Sequence, residues 1–272
     1  MPELPEVETV VRDLRPLLIG RSFVKIEVGK KRLRRKWSHA WSAKVVGQRV
    51  GRIERRGKWI LIDLTDAWLC VHLGMTGQFT VANGPRENHT HLVFTLDDTN
   101  ELRFRDVRRF GSVTYYPNQA ALNAHFTQNR LGPEPFNLNA SYWHDAFSAT
   151  KRNLKAILLD QSVVAGVGNI YADESLFEAR LHPALLGCTF TPRQAEALRH
   201  AVIAVLTHAI EQRGSSIRDY IGGSGLKGAF QDEFKVYGRT GQPCLRCRER
   251  IARIMLAGRS THFCPKCQRK RV

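Results

Sequence analysis

Four cysteines near the C-terminal end fall into two pairs, Cys244-x-x-Cys247 and Cys264-x-x-Cys267, with 16 residues between the pairs. Each pair can turn two sulfurs toward one point, and zinc prefers four thiolates in a tetrahedron. Two such knuckles about 15–20 residues apart form a zinc signature. The competing reading, two redox-active dithiols, lacks the βαβ pattern on which such dithiols sit. Four thiolates leave no open coordination position, so the expected Zn2+, one per chain, is structural. Between the knuckles, Leu256 to Phe263 reads as a hairpin tip that turns Arg259 outward. The other end of the chain carries a second possible reagent, since it opens Met1-Pro2-Glu3. Removal of Met1 would leave Pro2 with a free secondary amine. An α-amino group titrates near pH ~8, so a useful fraction is nucleophilic at neutral pH. Such an amine can form a covalent imine with a sugar C1′, and Glu3 beside it can move the protons. Taken alone this signal is weak, because Glu near a helix start ordinarily answers the helix dipole.

Charge narrows the partner. Lys and Arg number 42 against 25 Asp and Glu in 272 residues, a net charge of +17. That excess points to a polyanion, either nucleic acid or an anionic membrane face. Nucleic acid is favoured, because no stretch pairs a basic face with an apolar face suited to lipid. Residues 239–272 hold ten Lys and Arg and one Glu, which places nine of the seventeen net charges in the zinc-binding tail. A hydrophobic content of 43% excludes a wholly disordered chain. The longest apolar runs, such as Trp59–Ile62 and Ala201–Leu206, are too short to span a bilayer. No apolar segment follows the N-terminus, so a cytoplasmic protein is expected. The isolated Cys70 and Cys188 read as small buried hydrophobes.

These groups need a scaffold. Leu4, Val7, Val11, Leu14 and Leu18 recur at steps of three and four and predict an amphipathic helix over residues 3–19. Pro5 near its start and Gly20 past its end agree. The period then shortens. Val24–Val28, Trp59–Leu64, Trp68–Leu73, Gln78–Val81, His91–Leu96, Leu102–Val107 and Ser112–Tyr116 predict the short strands of a sandwich or barrel. Leu131-Gly-Pro-Glu-Pro-Phe136 can continue neither a helix nor a central strand and reads as a linker. Helical spacing follows over Lys151–Leu159, Tyr171–Ala179 and Arg193–Gln212, and the Gly/Ser-rich stretch 214–228 reads as a mobile loop. The organisation expected is a β-rich domain over 1–130, a linker over 131–136, a helical domain over 137–236 and a zinc finger over 237–272. Asn169 ahead of Asp173 and Glu174 predicts a capped helix N-terminus with acids in its first turn. With Gly166 and Gly168 beside it, that end can admit a phosphate, although an ordinary capped hairpin explains it equally well.

The string Pro2-Glu-Leu-Pro-Glu-Val-Glu-Thr9 resembles the opening of the bacterial formamidopyrimidine-DNA glycosylases, the 8-oxoguanine repair enzymes. Further matches follow in order: Arg55-Arg-Gly-Lys-Trp59, His72-Leu-Gly-Met75, Asp106-Val-Arg-Arg-Phe110, Gly132-Pro-Glu-Pro135, Gly166-Val-Gly-Asn-Ile-Tyr171 and the cysteine hairpin with Gly258-Arg259. The resemblance implies an α+β protein: an N-terminal β-sandwich domain with an N-terminal helix, then a helical domain with a helix–two-turn–helix motif and a zinc-finger β-hairpin. It implies Pro2 as Schiff-base nucleophile and Glu3 as proton donor for base excision and ring opening. Lys58 would bind phosphate and serve β-elimination, and Arg259 would grip phosphate and serve δ-elimination. Met75, Arg108 and Phe110 would fill the space left by an everted base, Arg108 facing the orphaned cytosine. His72, His89, Lys151 and Asn169 would bind DNA, with Arg152 and Lys155 as rivals to Lys151. The implied partner is double-stranded DNA containing oxidised bases or abasic sites, with no membrane and a monomeric enzyme.

Other readings compete residue by residue. Without the motifs, Met75 and Phe110 would be core and Lys58 a solvated surface lysine. Val107 stands where relatives often have Pro, and Asn88-His-Thr-His91 where Lys-His-Asp-His is common. The basic run Lys30 to Lys36 reads as a solvated or loosely DNA-facing surface. An endonuclease VIII-like enzyme for oxidised pyrimidines and a non-catalytic zinc-ribbon DNA-binding protein are the alternatives. A clamp on six to ten phosphates is expected to lose roughly 10³–10⁵-fold in affinity between 50 and 200 mM salt, and a titration of duplex binding against salt checks this.

Overall fold

The computed structural model describes residues 1–216, 223, 226 and 228–270. It divides into two compact units, Met1–Asn129 with Gln212–Ala229, and Arg130–Glu211 with Phe230–Val272.

In the first unit, helix α1 (Leu4–Leu18) buries Val7, Val10, Val11, Leu14 and Leu18 completely. Pro5 lies in its first turn, where a missing N–H costs nothing, and Glu3 and Glu6 reciprocate as a capping box. Eight strands follow: β1 (Phe23–Val28), β2 (Val50–Arg56), β3 (Trp59–Leu64), β4 (Trp68–His72), β5 (Gly77–Ala82), β6 (Thr90–Leu96), β7 (Glu101–Asp106) and β8 (Ser112–Tyr116). They pair antiparallel in two four-stranded sheets ordered β1-β6-β7-β5 and β2-β3-β4-β8. One hydrophobic core takes Phe23, Phe79, Phe94 and Phe104 from the first sheet, Ile60, Ile62, Leu69 and Val71 from the second, and the buried face of α1. Two sheets sharing one core make a sandwich, which decides against the barrel. The short helix α2 (His39–Val45) and α3 (Gln119–Gln128) complete the unit.

The second unit holds α4 (Ala140–Ser148), α5 (Leu154–Leu159), α6 (Asn169–Glu178) and α7 (Pro192–Glu211), then a hairpin of β9 (Ala252–Leu256) and β10 (Arg259–Phe263). Helix α6 is the axis of this unit, with every residue from Ile170 to Phe177 buried. Its two buried acids are met by donors within the unit. Asp173 binds the buried Lys155 ammonium and accepts the His262 N–H at 2.9 Å. Glu174 accepts the N–H groups of Lys235, Val236 and Tyr237 at 3.0, 2.9 and 2.8 Å. Burial raises the Glu174 pKa, outweighing those three donors. Among the described residues no helix is long and apolar enough to cross a membrane.

Two features depart from the sequence reading. Residues 212–216, 228 and 229 cluster with the first unit rather than with the helical segment in which their position places them. The Ser215 N–H and hydroxyl both bond to Glu6 of α1, at 2.8 and 3.0 Å, which holds them there. The mobile-loop expectation for 214–228 concerns mainly residues 217–222, 224, 225 and 227, which lie outside the described residues. The stretch 131–136 packs on the second unit, Gly132 donating to the Gln161 carbonyl at 2.8 Å and Ala165 to that of Pro133 at 2.9 Å.

Phe94 is fully buried and its ring centroid lies 5.3 Å from that of Phe23 and 5.4 Å from that of Trp37. Phe94→Ala is expected to lower stability by about 3–5 kcal/mol in chemical denaturation. Val24→Ala, at a half-exposed position on the neighbouring strand, is expected to stay within about 0.5 kcal/mol.

Candidate active site and zinc centre

Pro2 and Glu3 lie at the start of α1, and both are buried, Glu3 to 3% exposure. A carboxylate at a chain end is ordinarily solvated, so burying one needs a fixed donor, and the Glu3 side chain takes the Glu6 N–H in the capping box. Glu6 Oε2 accepts the Glu3 N–H at 2.8 Å, and Glu6 Oε1 takes the Ser215 bonds described above. The Gly214 backbone passes so close that a Cβ there would sit 2.8 Å from Glu6 Oε1, and its φ is +73°. Only glycine meets both conditions without strain.

Lys58 follows the tight turn at Gly57 between β2 and β3. It is 6% exposed, which removes the solvated-lysine reading. Arg55 supports the turn: Nη1 donates to the Gly57 carbonyl at 3.1 Å, and Nε donates to Glu8 of α1 at 3.1 Å. One guanidinium thus ties the helix bearing Pro2 and Glu3 to the turn bearing Lys58. In the sequence Arg55 stands out only as part of a motif, because nothing in local spacing reveals a bond 47 residues long.

His72 ends β4 directly opposite Trp59, and their rings lie 4.6 Å apart. Its pKa is pushed down to about 4, by burial first and then by the positive charges of Lys58 and Arg34. Its Nδ1 accepts the Gly74 N–H at 3.0 Å. That bond puts the ring proton on Nε2, which leaves a neutral donor beside a lysine.

Met75 and Phe110 stand on two neighbouring loops, 73–77 and 107–111, and are 40% and 46% exposed. They are surface tips and not core. The Arg108 guanidinium lies 4.7 Å from the Phe110 ring centroid. His89 is exposed with φ +70° and lines a cavity of about 390 Å3 with Lys30, Lys31 and His91.

In the second unit Gly168, not Asn169, is the N-cap of α6. The Asn169 side chain is engaged elsewhere, Nδ2 donating to the Ser260 carbonyl of the hairpin at 3.1 Å. Asn169 Oδ1 is buried with no hydrogen-bond partner among the described residues. Asp173 and Glu174 fall beyond the first turn, which holds no acid. The Asn169–Ser260 bond brings the start of α6 to the base of exposed Arg259, which follows a two-residue turn with positive φ at Ala257 and Gly258. Lys151 is exposed, whereas Arg152 pairs with Asp160 at 2.7 Å and Lys155 is fully buried on Asp173.

The sulfurs of Cys244, Cys247, Cys264 and Cys267 all lie within 4.8 Å of one another. The separations Cys244–Cys267 at 3.9 Å and Cys247–Cys264 and Cys247–Cys267 at 3.4 Å bracket the roughly 3.8 Å edge that tetrahedral Zn–S bonds of about 2.3 Å require. Among the described residues the local core adds Phe177, Val236 and Ile251 to the cysteines, too little apolar surface to fold the module without the metal. The four thiolates hold one structural zinc.

Three family models match the chain: the formamidopyrimidine-DNA glycosylase N-terminal domain over residues 1–113, the H2TH domain of the same enzymes over 131–220, and the zinc finger found in FPG and IleRS over 241–269. A formamidopyrimidine-DNA glycosylase of Geobacillus kaustophilus is 42% identical over 275 residues, covering 99% of this chain and all of that one. The chain belongs to the formamidopyrimidine-DNA glycosylase family. Among solved structures, Lactococcus lactis Fpg in complex with abasic-site DNA matches at a TM-score of 0.91 and 35% identity, over 98% of this chain and 100% of that one. MutM in complex with DNA containing carbocyclic 8-oxo-G matches at 0.90 and 35%, over 99% and 100%. The chain carries the family's β-rich N-terminal domain, helical H2TH region and zinc hairpin.

Because the folded His72 pKa lies below the ordinary value of 6.5, the unfolded chain binds a proton between pH 6.5 and 4 that the folded chain does not. This contribution to stability is complete above pH 6.5 and is lost as pH falls toward 4. Denaturant unfolding at pH 7 and pH 4.5 is expected to show a smaller acid loss in His72→Gln than in the wild type. Cys264→Ser, or a strong chelator, is expected to release the zinc by elemental analysis and to expose the 241–269 hairpin to proteolysis while the sandwich stays folded.

Proposed function

We propose that this chain is a bifunctional DNA glycosylase and abasic-site lyase that removes oxidised purines, 8-oxoguanine and formamidopyrimidines, from duplex DNA in the bacterial cytoplasm. The observation that carries the reading is the buried Pro2–Glu3 pair at the start of α1, braced by Glu6 and Ser215. A carboxylate held out of water beside a nitrogen nucleophile is an expense with a catalytic purpose.

While Met1 is attached, the Pro2 nitrogen is an amide and unreactive. Removal of Met1, which is 55% exposed, makes it a secondary amine. That amine attacks C1′ of an everted nucleotide, the glycosidic bond breaks, and the base departs with a proton. Glu3 supplies protons to the departing base and the opening sugar ring, leaving an iminium between Pro2 and C1′. The iminium acidifies C2′–H, whose loss expels the 3′ phosphate, and a second elimination expels the 5′ phosphate. Lys58 and His72, adjacent and both donors, suit the phosphate flanking the lesion. Arg259 suits the phosphate released in the second elimination, with Asn169, Lys151 and His89 as further backbone contacts. Met75 and Phe110, exposed and apolar, suit the gap in the stack, and Arg108 the widowed cytosine. Support for purines over oxidised pyrimidines comes from the family and from the 8-oxo-G-containing DNA bound by the similar MutM.

Borohydride trapping on an 8-oxoguanine·cytosine duplex tests the nucleophile. The wild type with Met1 removed is expected to give a covalent adduct, and Pro2→Gly and Glu3→Gln at least ~10²-fold less on the same time scale. An undiminished adduct in both variants would move the nucleophile to a lysine. Preference for thymine glycol over 8-oxoguanine in a competition assay would replace the purine reading with the pyrimidine one.

A further inference from the structure

Asp106 is the last residue of β7 and is completely buried, at the foot of the two loops that carry Met75 and Phe110. Its carboxylate serves both loops. Oδ1 accepts the Thr76 hydroxyl at 2.5 Å and the Arg108 N–H at 3.2 Å, and Oδ2 accepts the Gly111 N–H at 2.8 Å. Thr76 Oγ1 in turn accepts the Arg108 N–H at 3.2 Å. The main chain of Asp106 is pinned as well: its N–H donates to the His89 carbonyl at 3.0 Å, and its carbonyl accepts from His91 Nε2 at 2.9 Å.

The two loops touch directly. A Cβ on Gly74 would lie 2.5 Å from the Gly111 nitrogen and 2.6 Å from the Phe110 carbonyl carbon. A Cβ on Gly111 would lie 2.8 Å from the His72 carbonyl oxygen. At their exposed ends stand Met75, Val107 and Phe110, none of them held by a core. Side chains exposed to this degree are not fixed by packing, so their position depends on the backbone beneath them.

We propose that Asp106 is a positioning residue whose carboxylate clasps loops 73–77 and 107–111 into one rigid wedge, so that Met75, Arg108 and Phe110 enter the duplex as a unit. This rests on the wedge role given to those three residues above. Asp106 touches no reacting atom. An Asn at 106 keeps the shape but replaces one acceptor oxygen with a donor, which then faces either the Gly111 N–H or the Arg108 N–H and Thr76 hydroxyl. Thr76→Val removes the hydroxyl bridge alone, and Thr76→Ser keeps it.

The test compares two substrates with the intact enzyme. On an 8-oxoguanine·cytosine duplex, where a base must be everted, Asp106→Asn is expected to slow excision about 10–100-fold, the scale of a misplaced positioning group. On a single-stranded oligonucleotide with a preformed abasic site, which needs no wedge, it is expected to stay within about 2-fold. Thr76→Val is expected to follow the same pattern more weakly and Thr76→Ser to restore it. In a Phe110→Ala background, Asp106→Asn is expected to add little, because the two changes remove one shared function. Equal losses on both substrates, or effects of Asp106→Asn and Phe110→Ala that multiply, would reduce Asp106 to a fold-stabilising residue. Should Asp106→Asn not fold, the Thr76 pair carries the same comparison. A Phe110→Ala enzyme with undiminished duplex activity would instead sink the wedge reading itself, an outcome separable from failure of the clasp.

Discussion

A carboxylate removed from water must be met by donors that do not move, and Glu6 is where this chain accepts that condition. Its two oxygens take the Glu3 N–H, the Ser215 N–H and the Ser215 hydroxyl, and its side chain is 2% exposed. The first N–H groups of a helix have no partners within it, so α1 gains a satisfied end and Glu3 gains a fixed backbone. The same bonds reach 209 residues along the chain and hold the start of the 214–228 stretch against the helix. Chain termini ordinarily fray, and a nucleophile on a frayed end would lose the advantage of fixed geometry. Everything assigned to Pro2 depends on this one buried acid.

The device recurs. Asp106 accepts from Arg108 and Gly111, Asp173 from His262, and Glu174 from three successive amides at 235–237. In each case a buried carboxylate grips main-chain N–H groups, of irregular segments at Asp106 and Glu174 and of strand β10 at Asp173. Charge-assisted bonds to amides are about twice as strong as neutral ones and ask nothing of the side chains on the segment they hold. Those side chains can then stay exposed and apolar, as Met75 and Phe110 are, or exposed and cationic, as Arg259 is. Loops built this way hold their shape without surrendering their tips to a core.

That logic explains which parts were legible in the amino-acid order. The α1 face, seven of the strands and the zinc knuckles show themselves through local spacing, since burial on one face imposes a period and metal ligation imposes an interval. Strand β2 escapes, because Val50-Gly-Arg-Ile-Glu-Arg-Arg56 lies at a sheet edge and buries only Val50 and Ile53. Helix α3 escapes similarly, with only Leu122 and His125 buried. Asn169 was misassigned as a cap because the competing acceptor, the Ser260 carbonyl, is 91 residues away. The roles of Arg55, Glu6 and Asp106 are long-range hydrogen bonds with no periodic signature. All three stand inside the motifs that carry the resemblance, but the bonds they make are not written there.

The pair Lys58 and His72 shows how aiming also sets charge. Two cations side by side on a protein wall repel, and burial makes the second still harder to charge. The Gly74 N–H donating to His72 Nδ1 agrees with this, since a protonated Nδ1 could not accept it. The ring is therefore neutral across the physiological range and offers Nε2–H, while Lys58 contributes the charge. A phosphate placed there meets two donors and a single positive charge, with no change of state at His72 between pH 5 and 8. Grip on an anion placed there would then follow ionic strength through Lys58 and be indifferent to pH through His72.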